Sequence, residues 1–168
     1  MKRTLLFFWV LSLYFTEPDL QAYEYAGLKA EFMNAEKTNF YGGGLFTSNK
    51  RFDAEIEFFF STKAFEAGAK DLSPDVRLYF YSFAGYFHFI RTDSISFYIG
   101  TGIMPLLPKA YIYHGTFGMD FFWSENFRVF YNFRYLYNNA TGPSVNYYYP
   151  RGATFSFGFK YTWEFIKI

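Results

Sequence analysis

The chain of 168 residues contains no cysteine. Disulfides, thiolate metal sites, a cysteine nucleophile and a lipidated N-terminal cysteine are therefore excluded. It has two histidines, too few for a histidine-rich metal site. Charged residues are scarce at 18%, against about 25% in a typical soluble domain. Neither sign dominates, and a formal net charge of +1 offers no electrostatic footprint for nucleic acid. Long apolar runs are also missing after the leader, where no segment approaches the roughly 20 apolar residues of a membrane helix.

What the chain does have is aromatic side chains, 27% of all residues, and they alternate. In Gly152–Ile168 the large apolar residues are Phe155, Phe157, Phe159, Tyr161, Trp163 and Phe165. Between them stand Thr154, Ser156, Gly158, Lys160, Thr162 and Glu164. A period of two puts the two sets on opposite faces of a strand. About ten such residues cross a bilayer at a tilt. Lys160 and Glu164 keep the polar face out of hydrocarbon, so this reads as the closing strand of a barrel with lipid outside.

The N-terminus reads as a secretory signal peptide over 1–22. Lys2 and Arg3 form its basic region, Leu5–Phe15 its apolar core, and Ala22 the expected cleavage point. The remainder, 23–168, is one barrel domain. Its strand-like runs are Glu24–Asn34, Asn39–Thr47, Phe52–Phe60, Val76–Ile90, Ile95–Met104, Ala110–Phe122, Phe127–Asn138 and Gly152–Ile168. The fourth is apolar on both faces, which makes its register ambiguous and a bulge plausible. Pro105 and Pro108 are expected to end the fifth. Gly42, Gly43 and Gly44 in the second suggest a bend or a close approach of neighbouring backbones.

Ser48–Arg51, Arg91–Ser94 and Trp123–Asn126 are tight connections, whereas those after the third and seventh runs are long. Short turns at one end and long loops at the other match an all-β, eight-stranded, antiparallel up-and-down transmembrane β-barrel. The turns and both termini would be periplasmic. A soluble lipocalin-type barrel, its apolar face inward, is the structural rival. The polar face argues against it, being rich in Gly, Ser and Thr and suited to a narrow lumen. Trp123, Trp163 and Phe165 fall at the turn end, where an aromatic girdle is expected.

These features resemble the small eight-stranded outer-membrane β-barrel superfamily. The stretch Phe117–Tyr135, with its Ser-Glu-Asn turn between aromatic strands, is similar to a pattern common among its members. The resemblance implies a bacterial outer-membrane location, with outer-membrane lipid, lipopolysaccharide and the barrel-assembly machinery as partners. It implies a monomer without cofactor or metal. The chain ends in Ile168, where these barrels end in an aromatic residue. A narrower likeness is to the lipid A 3-O-deacylase family, which carries His-x-Ser-Asn-Ala-Gly at the outer end of the seventh strand. The corresponding positions here are Tyr137-Asn138-Asn139-Ala140-Thr141-Gly142. Tyr137 replaces the base and Asn139 the nucleophile, both on the lipid side. A phenol titrating near 10 and an amide cannot form a Ser–His pair.

Of the polar residues, His114 and Ser156 supply a base and a nucleophile, though two separate hydrogen-bonding residues in a filled lumen is the simpler reading. His88 reads as a rim residue near a turn. A lumenal charge network is expected from Lys29, Asp53, Glu55, Glu57, Asp120, Arg128, Arg134, Lys160 and Glu164, since buried charges persist when paired. That predicts a plugged barrel acting through its outer loops, in adhesion, surface interaction or membrane scaffolding. The alternatives are a deacylase-like enzyme with an altered site, and a narrow channel lined by Asp53, Glu55 and Glu57. Within the last strand, Phe159→Arg is expected to impair folding far more than Gly158→Ser.

Overall fold

A computed structural model describes residues 25–36, 38–49, 51–62, 78–106, 110–138 and 149–164. The expected leader, Phe165, Ile168, Asn139 and most of the long connections lie outside these residues. Among the described residues there are eight strands: β1 (Tyr25–Asn34), β2 (Asn39–Ser48), β3 (Phe52–Ser61), β4 (Tyr79–Arg91), β5 (Ile95–Leu106), β6 (Ala110–Phe122), β7 (Phe127–Asn138) and β8 (Gly152–Glu164). Each pairs with the next, and β8 pairs with β1, so the sheet is a closed antiparallel barrel. Closure leaves no sheet edge.

Side-chain size and turn chemistry explain the local structure. At the turn end, a short polar residue closes each tight connection. Asn49 Oδ1 accepts from the amides of Arg51 and Phe52 at 2.8 and 2.7 Å. Thr92 Oγ1 accepts from Ile95 N at 3.1 Å, and Ser124 Oγ from Phe127 N at 3.1 Å. These are the local side-chain-to-backbone bonds that favour turns. At the other end, the loop end, the connections after β3 and β7 are long.

The strand pattern places the barrel in a membrane. Outward positions alternate with buried ones along every strand, as in Phe52–Ser61. Among the described strand residues no outward-facing side chain is charged; Glu36, Arg51, Asp93 and Glu125 are exposed only in the connections. Mid-height outward residues include Leu28, Leu45, Ile56, Phe83, Ile99 and Phe157. A water-facing exterior of this kind would be an apolar patch far beyond what soluble monomers expose. The barrel is transmembrane.

Some details differ from the sequence reading and others follow it. β2 continues to Ser48 and β3 to Ser61. β5 runs through Pro105 to Leu106, although proline was expected to end it. The β4–β5 ladder reaches only Phe83 and Ile103, so Pro105 pairs with β6 alone and its missing N–H breaks no bond to β4. β4 does carry a bulge, between His88 and Ile90. Finally, Gly158 leaves no room for serine: an added Cβ would collide with the Ala30 carbonyl oxygen and press on the Phe130 ring at 2.8 Å. The glycine run of β2 is a close approach, since a Cβ at Gly44 would strike the Ile56 carbonyl oxygen.

Candidate functional site

Inside the barrel, alternation delivers two layers of opposite character. Toward the loop end the lumen is apolar: Met33, Phe40, Phe59, Phe80, Met104, Ile112 and Leu136 form one buried cluster. Phe80 stacks on Phe59 at 5.1 Å and meets Phe40 edge-on at 5.2 Å. Tyr149 lies over this cluster, its ring edge-on to Phe80 at 5.9 Å and its hydroxyl donating to the Tyr79 carbonyl at 3.1 Å. Burial pushes the Tyr149 phenol above its ordinary titration range.

Below that cap the lumen is ionic. Four cations interleave with five carboxylates in one connected chain. Arg134 Nη1 lies 2.8 Å from Glu31 Oε1, and its Nη2 contacts Glu57 Oε2 at 3.3 Å. Lys29 Nζ touches three carboxylates: Glu31 at 2.8 Å, Glu55 at 2.7 Å and Glu57 at 2.6 Å. Lys160 Nζ continues the chain from Glu55 at 2.8 Å to Asp53 at 3.4 Å, with Asp120 at 3.7 Å. Arg128 stands 3.6 Å from Asp120. Rings complete the packing. Lys160 Nζ lies 5.2 Å from the Tyr98 ring centre and 5.3 Å from that of Phe46, and Lys29 Nζ lies 4.4 Å from that of Phe130. Burying one such charge alone would cost several kcal/mol, roughly offset only by close, multiple partners.

Eight of the nine residues expected in the network are buried in the lumen. Glu164 is described only by its backbone, which pairs with Tyr25. Glu31 was left out of the expected network, yet it bridges Lys29 and Arg134. His88 is corrected more sharply: it is no rim residue. It is buried, with Nδ1 2.6 Å from Ser96 Oγ and Nε2 3.2 Å from Asp53 Oδ1. Its position follows from alternation with Ser82, Ala84 and Tyr86, a signal obscured by the bulge that follows it. Tyr86, Tyr98 and Asn132 were also missed. Tyr98 donates to Asn132 Oδ1 at 2.6 Å, and Arg134 Nη2 reaches the Tyr86 hydroxyl at 3.5 Å.

The catalytic candidates are not brought together. His114 and Ser156 are both buried and lumenal, but His114 Nδ1 meets Thr116 Oγ1 at 3.0 Å. Ser156 is level with Asn132, and Asn132 with Gly118. That puts Ser156 two strands away from His114 and four residues along, roughly 13 Å at a strand's rise. Tyr137 is on the outer face at the loop end, 63% exposed; Asn139 lies outside the described residues. Ser96, His88 and Asp53 have the residue types of a hydrolytic triad. All three are buried, and Ser96 Oγ lies both 2.6 Å from His88 Nδ1 and 3.1 Å from the Ile90 carbonyl oxygen.

The outer surface carries two aromatic belts. Trp123 and Trp163 are exposed at the turn end, as expected; Phe165, the third expected girdle residue, is not among the described residues. A second belt at the loop end was missed: Tyr41, Tyr79, Tyr81, Tyr111, Tyr113, Tyr135 and Tyr137 all point outward. Tyrosines at that level put an apolar ring against lipid and a hydroxyl toward headgroups.

Comparison with protein families and with curated proteins found no match. Among solved structures, a de novo designed transmembrane β-barrel is similar, with a TM-score of 0.61 at 10% identity, covering 85% of this chain and 98% of that one. At that identity the likeness shows the fold alone. Two crystal structures of Ail, the attachment invasion locus protein of Yersinia pestis, also match at 12% identity, covering 83% of this chain and 95% of theirs. One holds the heparin analogue sucrose octasulfate. Their TM-scores, 0.45 and 0.43, are too low to support an argument.

Proposed function

We propose that this chain is a bacterial outer-membrane barrel that does not conduct and does not turn over a substrate, and that works through its loop end in adhesion, surface interaction or membrane scaffolding. The observation that supports it is the filled lumen. Every carboxylate considered for a channel, Asp53, Glu55 and Glu57, is ion-paired to Lys29, Arg134 or Lys160, and the apolar cap lies between this chain and the loop end. With the wall facing lipid and the lumen closed, the loop end is the surface left for partners. In this reading the turns and termini are periplasmic, and the leader directs export.

Whole-cell proteolysis followed by an adhesion assay tests the proposal. Protease added outside should cut within 62–78 or 139–148 and spare 92–94 and 123–126. Replacing 139–148 by a Gly-Ser linker should abolish binding to immobilised matrix while the barrel still folds. Cleavage confined to the tight turns would invert the orientation. Unchanged adhesion after replacement of both long connections would remove the loop-end function.

A deacylase-like reading retains one observation, the outward Tyr137 at the lipid surface. Lipid A from cells with and without the protein should show the same acyl pattern by mass spectrometry. A lost acyl chain would favour the enzyme.

A further inference from the structure

Inward positions of β4 run Phe80, Ser82, Ala84, Tyr86 and His88, every second residue. Continued unbroken, that alternation would bring Ile90 inside and put Arg91 on the lipid face. The bulge between His88 and Ile90 inserts one residue instead, so that Ile90 pairs with Phe97 and Arg91 with Ser96. Residues directly opposite each other in an antiparallel pair share a face. Ser96 is buried in the lumen, so Arg91 is turned inward, while Phe89 and Ile90 are both exposed on the outside. Re-aiming a side chain is a recurrent use of a bulge.

Once inside, Arg91 reaches along the mouth of the barrel in both directions. Its Nη1 donates to the Asn49 carbonyl, beside the β2–β3 turn, at 3.0 Å. Its guanidinium carbon lies 5.4 Å from the centre of the Phe122 ring of β6. Arg128 of β7, level with Phe122, approaches the same ring at 4.9 Å. Arg128 is buried in the lumen, so Phe122 also faces inward. Its ring, met by strands on either side of β6, stands across the turn-end opening. The β6–β7 turn that follows it is pinned to β8 by the Thr162 hydroxyl, 3.2 Å from the Asn126 carbonyl. Directly behind the ring lie Ser96, Asp120, His88 and Asp53, none more than 4% exposed.

We propose that Phe122, clamped between Arg91 and Arg128, is a gate at the turn end, and that the lumen opens only there. The two ends are held unequally. The loop end is closed by the buried apolar cluster, whose side chains hold one another in place. The turn end is closed by one ring and two guanidinium contacts, with Phe122 and Arg91 both partly exposed. Cation–ring contacts are weak where water reaches them. Swinging Arg91 off the ring breaks one such contact and one hydrogen bond, and it moves no strand. The open gate admits water and small ions to Ser96, Asp120, Asp53 and Lys160, and the apolar cap stops them there. The barrel still does not conduct, but its ionic lumen is reached from one side.

The chain has no cysteine, so a single thiol can be placed at either end of the lumen. Ser96→Cys puts it behind the gate, and Thr154→Cys, level with Arg134, puts it toward the loop end; both native side chains are buried. The full chain is folded in phosphatidylcholine vesicles, with a small water-soluble maleimide on both sides of the bilayer. Both thiols should label slowly. Adding Arg91→Gln should speed labelling at 96 at least about tenfold, as the loss of a guanidinium–ring contact and a charged hydrogen bond implies. Labelling at 154 should not change. Phe122→Ala should do the same, and if that variant does not fold, Arg91→Gln decides alone. Rapid labelling at 96 with the gate intact, an unchanged rate in Arg91→Gln, or an equal rise at 154 overturns the gate.

Discussion

Arg134 and Glu31 meet across the lumen in a two-pronged contact, Nη1 to Oε1 at 2.8 Å and Nη2 to Oε2 at 3.1 Å, with both side chains fully buried. They stand on β7 and β1, strands separated by β8, so the pair ties together the part of the wall where the barrel closes. Removing one partner of a buried pair leaves the other charge uncompensated, at a cost of about 3–5 kcal/mol. Arg134→Met should lower the free energy of unfolding in vesicles by about that much, and adding Glu31→Gln should restore part of it. A double variant no more stable than Arg134→Met would show that the two do not act as a pair.

Phe159 projects from β8 into the lipid. Arginine at mid-height on that face costs about 2–4 kcal/mol. Phe159→Arg should therefore reduce the folded fraction in vesicles sharply, read by the mobility shift between folded and unfolded barrel in gels. Folding at the wild-type level would mean that this face does not meet hydrocarbon.

Two glycines on opposite faces should respond differently to a methyl group. A Cβ at Gly115 meets nothing within 4 Å, whereas one at Gly158 collides with the Ala30 carbonyl. Gly115→Ala should fold as wild type does, and Gly158→Ala should fold poorly in the same vesicle assay. Equal behaviour of the two would contradict the close β8–β1 approach.

Most of this architecture was legible because a strand's period of two writes the two faces of the wall directly into the sequence. Lys29, Asp53, Glu57 and Lys160 were assigned to the lumen on that ground alone. Their pairings were not legible. Arg134 reaches Glu31 because closure brings β1 and β7 to either side of β8, and the stagger between strands sets which residues are level. His88 was misplaced because the bulge after it interrupts the alternation. Tyr137 was read as lipid-facing, but the loop-end belt appears only once the strands are aligned. Gly158 was misjudged because the sequence shows a small residue without showing the Phe130 ring and Ala30 carbonyl that make it so.

Tyr149 anchors the segment leading into β8 over the apolar cap. Its phenol is raised by burial, so the folded state favours the protonated form. The stabilisation is present below the ordinary phenol titration near pH 10 and is lost as pH rises through the folded value. Tyr149→Phe removes a hydrogen bond of about 0.5–1.5 kcal/mol. Wild type should resist urea better than Tyr149→Phe at about pH 8, and this margin should vanish once the phenol ionises. No margin at about pH 8 would show that the hydroxyl contributes nothing, and a margin that survives in strong alkali would show that its donated hydrogen bond is not the cause.

The wall itself offers the most direct measurement. The chain has no cysteine, so Ile56→Cys and Asp93→Cys each give a single nitroxide attachment point. Ile56 is outward at mid-height and Asp93 is exposed in a tight turn. In vesicles, the label at 56 should collide readily with oxygen, which concentrates in hydrocarbon, and hardly with a water-soluble nickel chelate. The label at 93 should do the reverse. A label at 56 that is open to the nickel chelate, or screened from both reagents as in a soluble barrel with its apolar face inward, would contradict a wall that faces lipid.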